Sequence, residues 1–379
     1  MRGIIKLSIA AVSAAMTIAL PFHAEASTAP RGMTPGEAAQ LQNALENARS
    51  ASGAPGVSAA IVDDGIVTWT GGSGRSTFST NAPITDSSMF VLASVSKMFV
   101  ATIAMRLVEE GKLDLDGPIA PYLPAYVPDS SRVTVRELLG HTSGYHDVEG
   151  DAQVLKLLAD PNQAWTRDML ERDEGPVRFT PGSRFDYCNS CYVMLGDIIE
   201  KAGHASVESE LRRYVLVPLN LGSDVDIDRT PSFAARIPHG YDLENKKLVD
   251  TFVGAHDLGV PTYDWGPVWT DGGIAATAIG VARFTDALLG GSLVSKKSLA
   301  TMLAPGGKNE ILESDKHDGH LWRGHSGFYD GFTAEAWYDA HRHLTIVVLA
   351  NRTDDDDPAT EVWNRLATAY DRIRPSPRP

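Results

Sequence analysis

Apolar and polar positions along this chain change period several times, and each change marks an element. Thr34-Pro35-Gly36-Glu37 has the form of a capping box with proline at the first helical position, which predicts a helix to about Arg49. Val57–Asp63 and Ile66–Thr70 are short β-rich runs joined across Asp64-Gly65, a hairpin pattern, and Gly71–Gly74 breaks it. From Ser94 to Glu110 the period becomes helical. Met98, Ala101, Met105 and Val108 share one stripe, Phe99, Ile103 and Leu107 a second, and Gly111 ends the run. A helix apolar nearly all round is expected to be buried. From about Asp114 to Gly290 the chain is rich in Pro, Gly and short helical patterns, with few clear strands. Phe332–Tyr338 and Leu344–Leu349 read as strands. A helix bearing Val362, Leu366, Ala369 and Ile373 follows Pro358. Asp354–Asp357 ahead of it read as a solvated run at the positive end of the helix dipole, in preference to a calcium loop.

These elements predict an α+β fold: an antiparallel sheet built from both chain ends and flanked by helices, with a helical insertion between. Residues 27–374 are expected to form one unit. Its α/β part spans about 33–93 and 291–374, its mostly helical part about 94–290, and a disordered tail follows at 375–379.

Composition narrows the function. The chain has 379 residues, with 34 Lys plus Arg against 48 Asp plus Glu, a net charge of −14. That balance excludes the electrostatic footprint of a nucleic-acid binder and disfavours anionic membrane surfaces. Arg2 and Lys6 precede an apolar run from Leu7 to Leu20, then Pro21 and the small-x-small site Ala24-Glu25-Ala26. Residues 1–26 are therefore expected to be a cleaved signal peptide, with the mature protein periplasmic or secreted and without stable membrane insertion. The two cysteines, Cys188 and Cys191, read first as small buried thiols and second as an export-dependent disulfide.

Three short stretches carry chemistry. Ser94-Val95-Ser96-Lys97 is the one Ser-x-x-Lys in the sequence and opens the buried helix, so Lys97 can reach the Ser94 hydroxyl from the same face. Burial lowers an ammonium pKa and suits Lys97 to accept a proton, and a backbone N–H of the first turn suits an oxyanion hole. Tyr187-Cys188-Asn189 is the one Tyr-x-Asn, behind the loop residues Pro181-Gly182. A phenol near two cations has phenolate character and can pass protons, while an Asn amide offers a donor and an acceptor. His325-Ser326-Gly327 stands immediately before the Phe332 strand region, where a strand edge supplies a second N–H and Gly permits close approach. Ser143 with His141 and His146 reads as a turn after a helix. His317, His320 and His325 read as surface histidines in preference to a zinc set. No metal or cofactor is predicted, and the expected partner is a small molecule or peptide.

Taken together and in this order, the three stretches resemble the penicillin-recognising serine hydrolases, the group of class C β-lactamases, serine D-Ala-D-Ala carboxypeptidases, D-aminopeptidases and related esterases. Leu138-Leu139-Gly140-His141-Thr142-Ser143-Gly144, Gly111–Asp116 and Gly272–Thr277 resemble further stretches of that family, and the likeness runs from about Val57 to Asn351. It implies a five-stranded antiparallel sheet with an all-helical insertion. It also implies Ser94 as acylated nucleophile, Lys97 as its proton partner and Tyr187 as proton shuttle. Asn189 would bind the substrate amide, with His325, Ser326 and Gly327 lining the substrate, and the N–H groups of Ser94 and Phe328 would form the oxyanion hole. His325 departs from the lysine of class C β-lactamases. An unperturbed imidazole is mostly neutral at pH 7, which favours a peptide or amide over a β-lactam carboxylate. The expectation is thus an exported acyl-enzyme hydrolase of D-amino-acid-containing peptides. β-Lactamase or carboxylesterase activity is the alternative, and a non-catalytic penicillin-binding or sensor module the alternative of a different class.

Overall fold

The computed structural model describes residues 32–148, 175–227, 231–251, 269–304, 311–354 and 356–375. The expected signal peptide and the tail beyond Pro375 lie outside the described residues.

Six strands form the main sheet: β1 (Gly56–Asp63), β2 (Ile66–Gly74), β3 (Glu313–His317), β4 (His320–Tyr329), β5 (Phe332–Asp339) and β6 (Leu344–Ala350). Their spatial order is β2-β1-β6-β5-β4-β3, every neighbouring pair antiparallel. The two chain ends meet where β1 pairs β6, from Val57↔Ala350 to Asp63↔Leu344. Five strands were expected; the sixth is β3, a polar edge strand whose burial pattern carries no alternating apolar face to read. Charged residues such as its Asp315 and Lys316 are what an exposed sheet edge requires. Strand β2 also continues through the glycines expected to break it. A Cβ on Gly71 would lie 2.4 Å from the Trp69 ring, so glycine there serves close packing within the strand.

Both faces of the central strands are covered, which is why β1 and β6 are mostly apolar and buried along nearly their whole length. Val57, Ala59 and Ile61 with Ile346 and Val348 pack against Leu41, Leu45, Val362, Trp363 and Leu366. Those side chains come from α1 (Pro35–Ser52) and the C-terminal helix Pro358–Ile373. The alternate residues Ala60, Val62, Val347 and Leu349 face the second core. It includes α2 (Ser96–Glu109), α3 (Ser190–Gly203) and α4 (Ala278–Leu289). The C-terminal helix is α5. Phe99 of α2 stacks on Phe284 of α4 with ring centroids 3.6 Å apart. The predicted stripes of α2 are buried as expected, Val108 partly.

Thr34 and Glu37 form the predicted capping box at α1. The acidic run before α5 is less solvated than expected. Asp354 pairs with Arg352, and the half-buried Asp357 caps α5 by accepting from Thr360 N–H at 3.2 Å. Among the described residues no helix is long and apolar enough to cross a membrane.

Candidate active site

The Ser94 turn is built before the helix proper begins. Ala93–Val95 form a 3-10 turn, and α2 starts at Ser96, two residues later than the periodicity predicts. Ala93 holds φ +47°, a left-handed conformation that costs a non-glycine residue strain and aims the following side chain. The first bond of the turn runs from Val95 N–H to Leu92 O, so Ser94 N–H stands upstream of the hydrogen-bonded turn. The segment Gly272–Thr277 clamps this turn from the side. Leu92 N–H donates to Ile274 O at 2.9 Å, and Ile274 N–H donates to Ser96 Oγ at 3.2 Å.

Ser94 Oγ receives two donors, Lys97 Nζ at 3.2 Å from the next helical turn and Tyr187 OH at 2.8 Å from 93 residues away. Lys97 is 1% exposed. Its Nζ also donates to Asn189 Oδ1 at 2.8 Å and to Asp271 O at 2.7 Å, with Asp271 Oδ2 4.0 Å away. The ring faces of Tyr187 and Tyr192 flank it at 5.2 Å and 5.4 Å. Asn189 passes the network on, its Nδ2 donating to Asp147 Oδ2 at 2.9 Å. Asp147 Oδ1 accepts from Ser190 N–H at 3.2 Å, which fixes the start of α3.

Tyr187 is not the partial phenolate that two adjacent cations would produce. Burial pushes its pKa up, outweighing the attraction of Lys97 and the hydrogen bond to Ser94. The second cation is also missing. Burial is the largest influence on His325 and holds its pKa below the usual imidazole value, against the pull of Glu313 and the Ser326 carbonyl. His325 Nδ1 lies 2.6 Å from Ser326 O. A carbonyl only accepts, so Nδ1 carries the proton and the neutral ring keeps its acceptor at Nε2. His141 supports Tyr187 from below, stacked at 4.2 Å between centroids, and its Nδ1 accepts from Cys188 N–H at 3.2 Å. Burial and the nearby Lys97 keep it well below the ordinary value, hence neutral.

Cys188 and Cys191 are joined as a disulfide, correcting the reading of two separate thiols. Both are fully buried, and the bridge lies between Tyr187 and the first turn of α3.

His325, Ser326, Gly327 and Phe328 lie within β4, inside the strand and not merely ahead of one. Gly327 is required there: a Cβ would sit 2.3 Å from Leu92 O and 3.3 Å from Ala93 Cβ. β4 therefore approaches the Ser94 turn backbone to backbone. Ser326 N–H and hydroxyl donate to Glu313 Oε2 at 2.8 Å and 3.0 Å. A cavity of about 280 Å³ is lined by Ser94, Tyr187, Asn189, Glu313, His325 and Phe328, with neighbouring residues. The structure thus brings all three predicted stretches to one place. The surface reading of the three histidines fails for two of them, since His325 and His320 are buried, and they do not gather: His320 pairs with Asp339 at 3.0 Å, and His317 with Asp318 at 3.3 Å.

Sequence reasoning missed Asp147, Asp271 and Glu313. Asp271 and His141 belong to or adjoin stretches noted for their resemblance without being given roles. Asp147 and Glu313 carry no local pattern at all.

Comparison with known proteins agrees with this geometry. A family model described as Beta-lactamase matches residues 41–370. The putative penicillin-binding protein PbpX of Bacillus subtilis (strain 168) is 30% identical over 258 residues, 65% of this chain and 58% of its own length. The D-aminopeptidase of Brucella anthropi is 26% identical over 311 residues, 78% of this chain and 56% of its own length. This chain therefore spans less than two thirds of either relative. The crystal structure of D-amino acid amidase from Ochrobactrum anthropi SV3 complexed with L-phenylalanine amide superposes with a TM-score of 0.76 at 24% identity. That match covers 89% of this chain and 99% of the amidase chain, a likeness of fold. A match over residues 41–370, on a fold that gathers the three stretches around one cavity, places this chain in the Beta-lactamase family.

Proposed function

We propose that the protein is a serine hydrolase working through a Ser94 acyl-enzyme on amide or peptide bonds of short substrates containing a D-residue. The observation that carries this reading is the pair of donors converging on Ser94 Oγ, Lys97 Nζ at 3.2 Å and Tyr187 OH at 2.8 Å, at the wall of a cavity. The reactive form carries Lys97 as the free amine, its lone pair facing Ser94 Oγ where the ammonium donates in the resting site, and it takes the Ser94 proton as Oγ attacks the carbonyl. Tyr187, a neutral phenol, gives its proton to the leaving nitrogen and regains one from Lys97. Water then attacks the acyl-enzyme with the same groups reversing roles. Ser94 N–H and Phe328 N–H stabilise the oxyanion. The second N–H of Asn189, whose first bonds Asp147, addresses the substrate amide.

A neutral His325 supports an amide or peptide over a β-lactam, whose carboxylate calls for a fixed cation. The name of the D-aminopeptidase relative points to the same substrate class. The Cys188–Cys191 disulfide fits the oxidising compartment that an exported protein reaches once residues 1–26 are removed.

Incubation with a fluorophosphonate, followed by intact mass, is expected to show one adduct on wild type and none on Ser94→Ala of unchanged Tm. Turnover is expected for a D-amino-acid amide or a D-Ala-D-Ala peptide and to fall at least about a thousandfold in that variant. Folded wild type that takes no label would establish a binding module instead. A panel led by nitrocefin over the amide, peptide and nitrophenyl ester would overturn the substrate class.

A further inference from the structure

The walls of the Ser94 cavity carry an uneven charge. Lys97 has Asp271 Oδ2 at 4.0 Å and donates to Ser94, Asn189 and the Asp271 carbonyl. Tyr187 is a neutral phenol, and burial keeps His325 neutral. Of the two carboxyl groups on the wall, Asp271 faces Lys97 and the other is Glu313, at the first position of edge strand β3 and paired in register with Gly324 of β4. Its carboxylate is aimed, not loose. One oxygen, Oε2, takes both the N–H and the hydroxyl of Ser326 at 2.8 Å and 3.0 Å. The other, Oε1, stands 3.6 Å from His325 Nδ1, beyond hydrogen-bond reach, since that N–H is directed to Ser326 O. The Glu313 side chain is 40% exposed and lines the cavity.

We propose that Glu313 is a specificity-determining residue: its Oε1 binds the ammonium group of a substrate whose reacting residue carries a free amine, and it disfavours substrates carrying a carboxylate there. The inference rests on the Ser94 hydrolase reading and refines it, assigning the enzyme to amine-bearing D-aminoacyl amides and peptides and away from carboxypeptidase or β-lactam chemistry. A cavity of about 280 Å³ accommodates a short aminoacyl group. The overall charge of −14 acts in the same sense, raising the local concentration of cationic substrates.

The test compares three anilides that differ only at the amine: D-alanine p-nitroanilide, its N-acetyl derivative and its N-succinyl derivative. Wild type is expected to favour the free amine over the acetyl compound by about tenfold or more in kcat/KM, as for one partly screened ion pair, with the succinyl compound last. Glu313→Gln keeps an oxygen for Ser326 and is expected to lower the preference of free amine over acetyl compound about tenfold. Raised salt is expected to narrow the wild-type preference in the same direction. Equal kcat/KM for the free and blocked amines in wild type, or an unchanged ratio in Glu313→Gln of native Tm, would overturn the assignment. If none of the three is turned over, the same order is read from their protection of Ser94 against the fluorophosphonate. Failure of Ser94 to react at all defeats the hydrolase reading and is thereby distinguished from a failure of the Glu313 assignment.

Discussion

Lys97 and Glu335 are both buried ionisable side chains, and the protein deals with them in opposite ways. Lys97, 1% exposed, has three acceptors within hydrogen-bond distance of Nζ, as many as an ammonium has hydrogens. Glu335, 3% exposed, lines a neighbouring cavity of about 390 Å³ that meets the Ser94 cavity at Glu313 and Ser326. It accepts from Trp337 Nε1 and the Thr360 hydroxyl, but the charges near it, Asp357 and Glu313, have its own sign. Burial first, and then those carboxylates, push its pKa up to about 8, so it is largely protonated at neutral pH. The contrast separates burial from charge. Depth in the protein is nearly the same at the two sites, and the partner set decides how each group is accommodated.

The comparison breaks most visibly at Lys97. Replacing it in Lys97→Met removes the donor shared by Ser94 Oγ, Asn189 Oδ1 and Asp271 O. Acylation by a fluorophosphonate is expected to slow by about a thousandfold, the scale of a lost proton-transfer group. Stability should fall by about 1–3 kcal/mol for each acceptor left buried and unpaired. A variant that acylates at the wild-type rate would remove Lys97 from the proton path.

Gly327→Ala acts on the strand next to both cavities. Its Cβ would lie 2.3 Å from Leu92 O, so β4 must withdraw from the Ser94 turn. A displacement near 1 Å costs about a hundredfold in kcat/KM. Steady-state kinetics with a wild-type-like value would show that the approach of β4 is not needed for turnover.

Glu335→Gln carries the smallest expected effect on turnover and the sharpest sign on stability. The unfolded chain ionises this carboxyl near its ordinary value of 4.5, whereas the folded protein holds its proton to about 8. Between those values the folded state binds more protons, so stability falls as pH rises, by at most about 1.4 kcal/mol per pH unit from this group. Glutamine removes that loss. The Tm of the variant is expected to be higher than wild type at pH 8 and closer to it at pH 5, with turnover unchanged. Parallel Tm–pH curves for the two proteins would mean that Glu335 is ionised in the fold.

Much of this architecture is legible locally. The capping box at Thr34, the hairpin across Asp64-Gly65, the two stripes of α2 and the apolar run Ile346–Ala350 of β6 each follow from a few neighbouring residues. The edge strand β3 and the passage of β2 through glycines do not, because neither presents an apolar face and what holds them is a neighbour in space. The site divides in the same way. Ser94 and Lys97 lie one helical turn apart, so the sequence alone places them together.

The sequence by itself therefore determined the elements, the Ser94–Lys97 pair and the identity of the two other stretches that complete the site. Only the tertiary structure decided the protonation state of Tyr187 and His325, the Cys188–Cys191 bridge, and the entry of Asp147, Asp271 and Glu313. The physical reason is that periodicity and short motifs report what a residue does with its chain neighbours. Desolvation and Coulomb interaction depend on which distant groups are packed against it and on how much water is left between them.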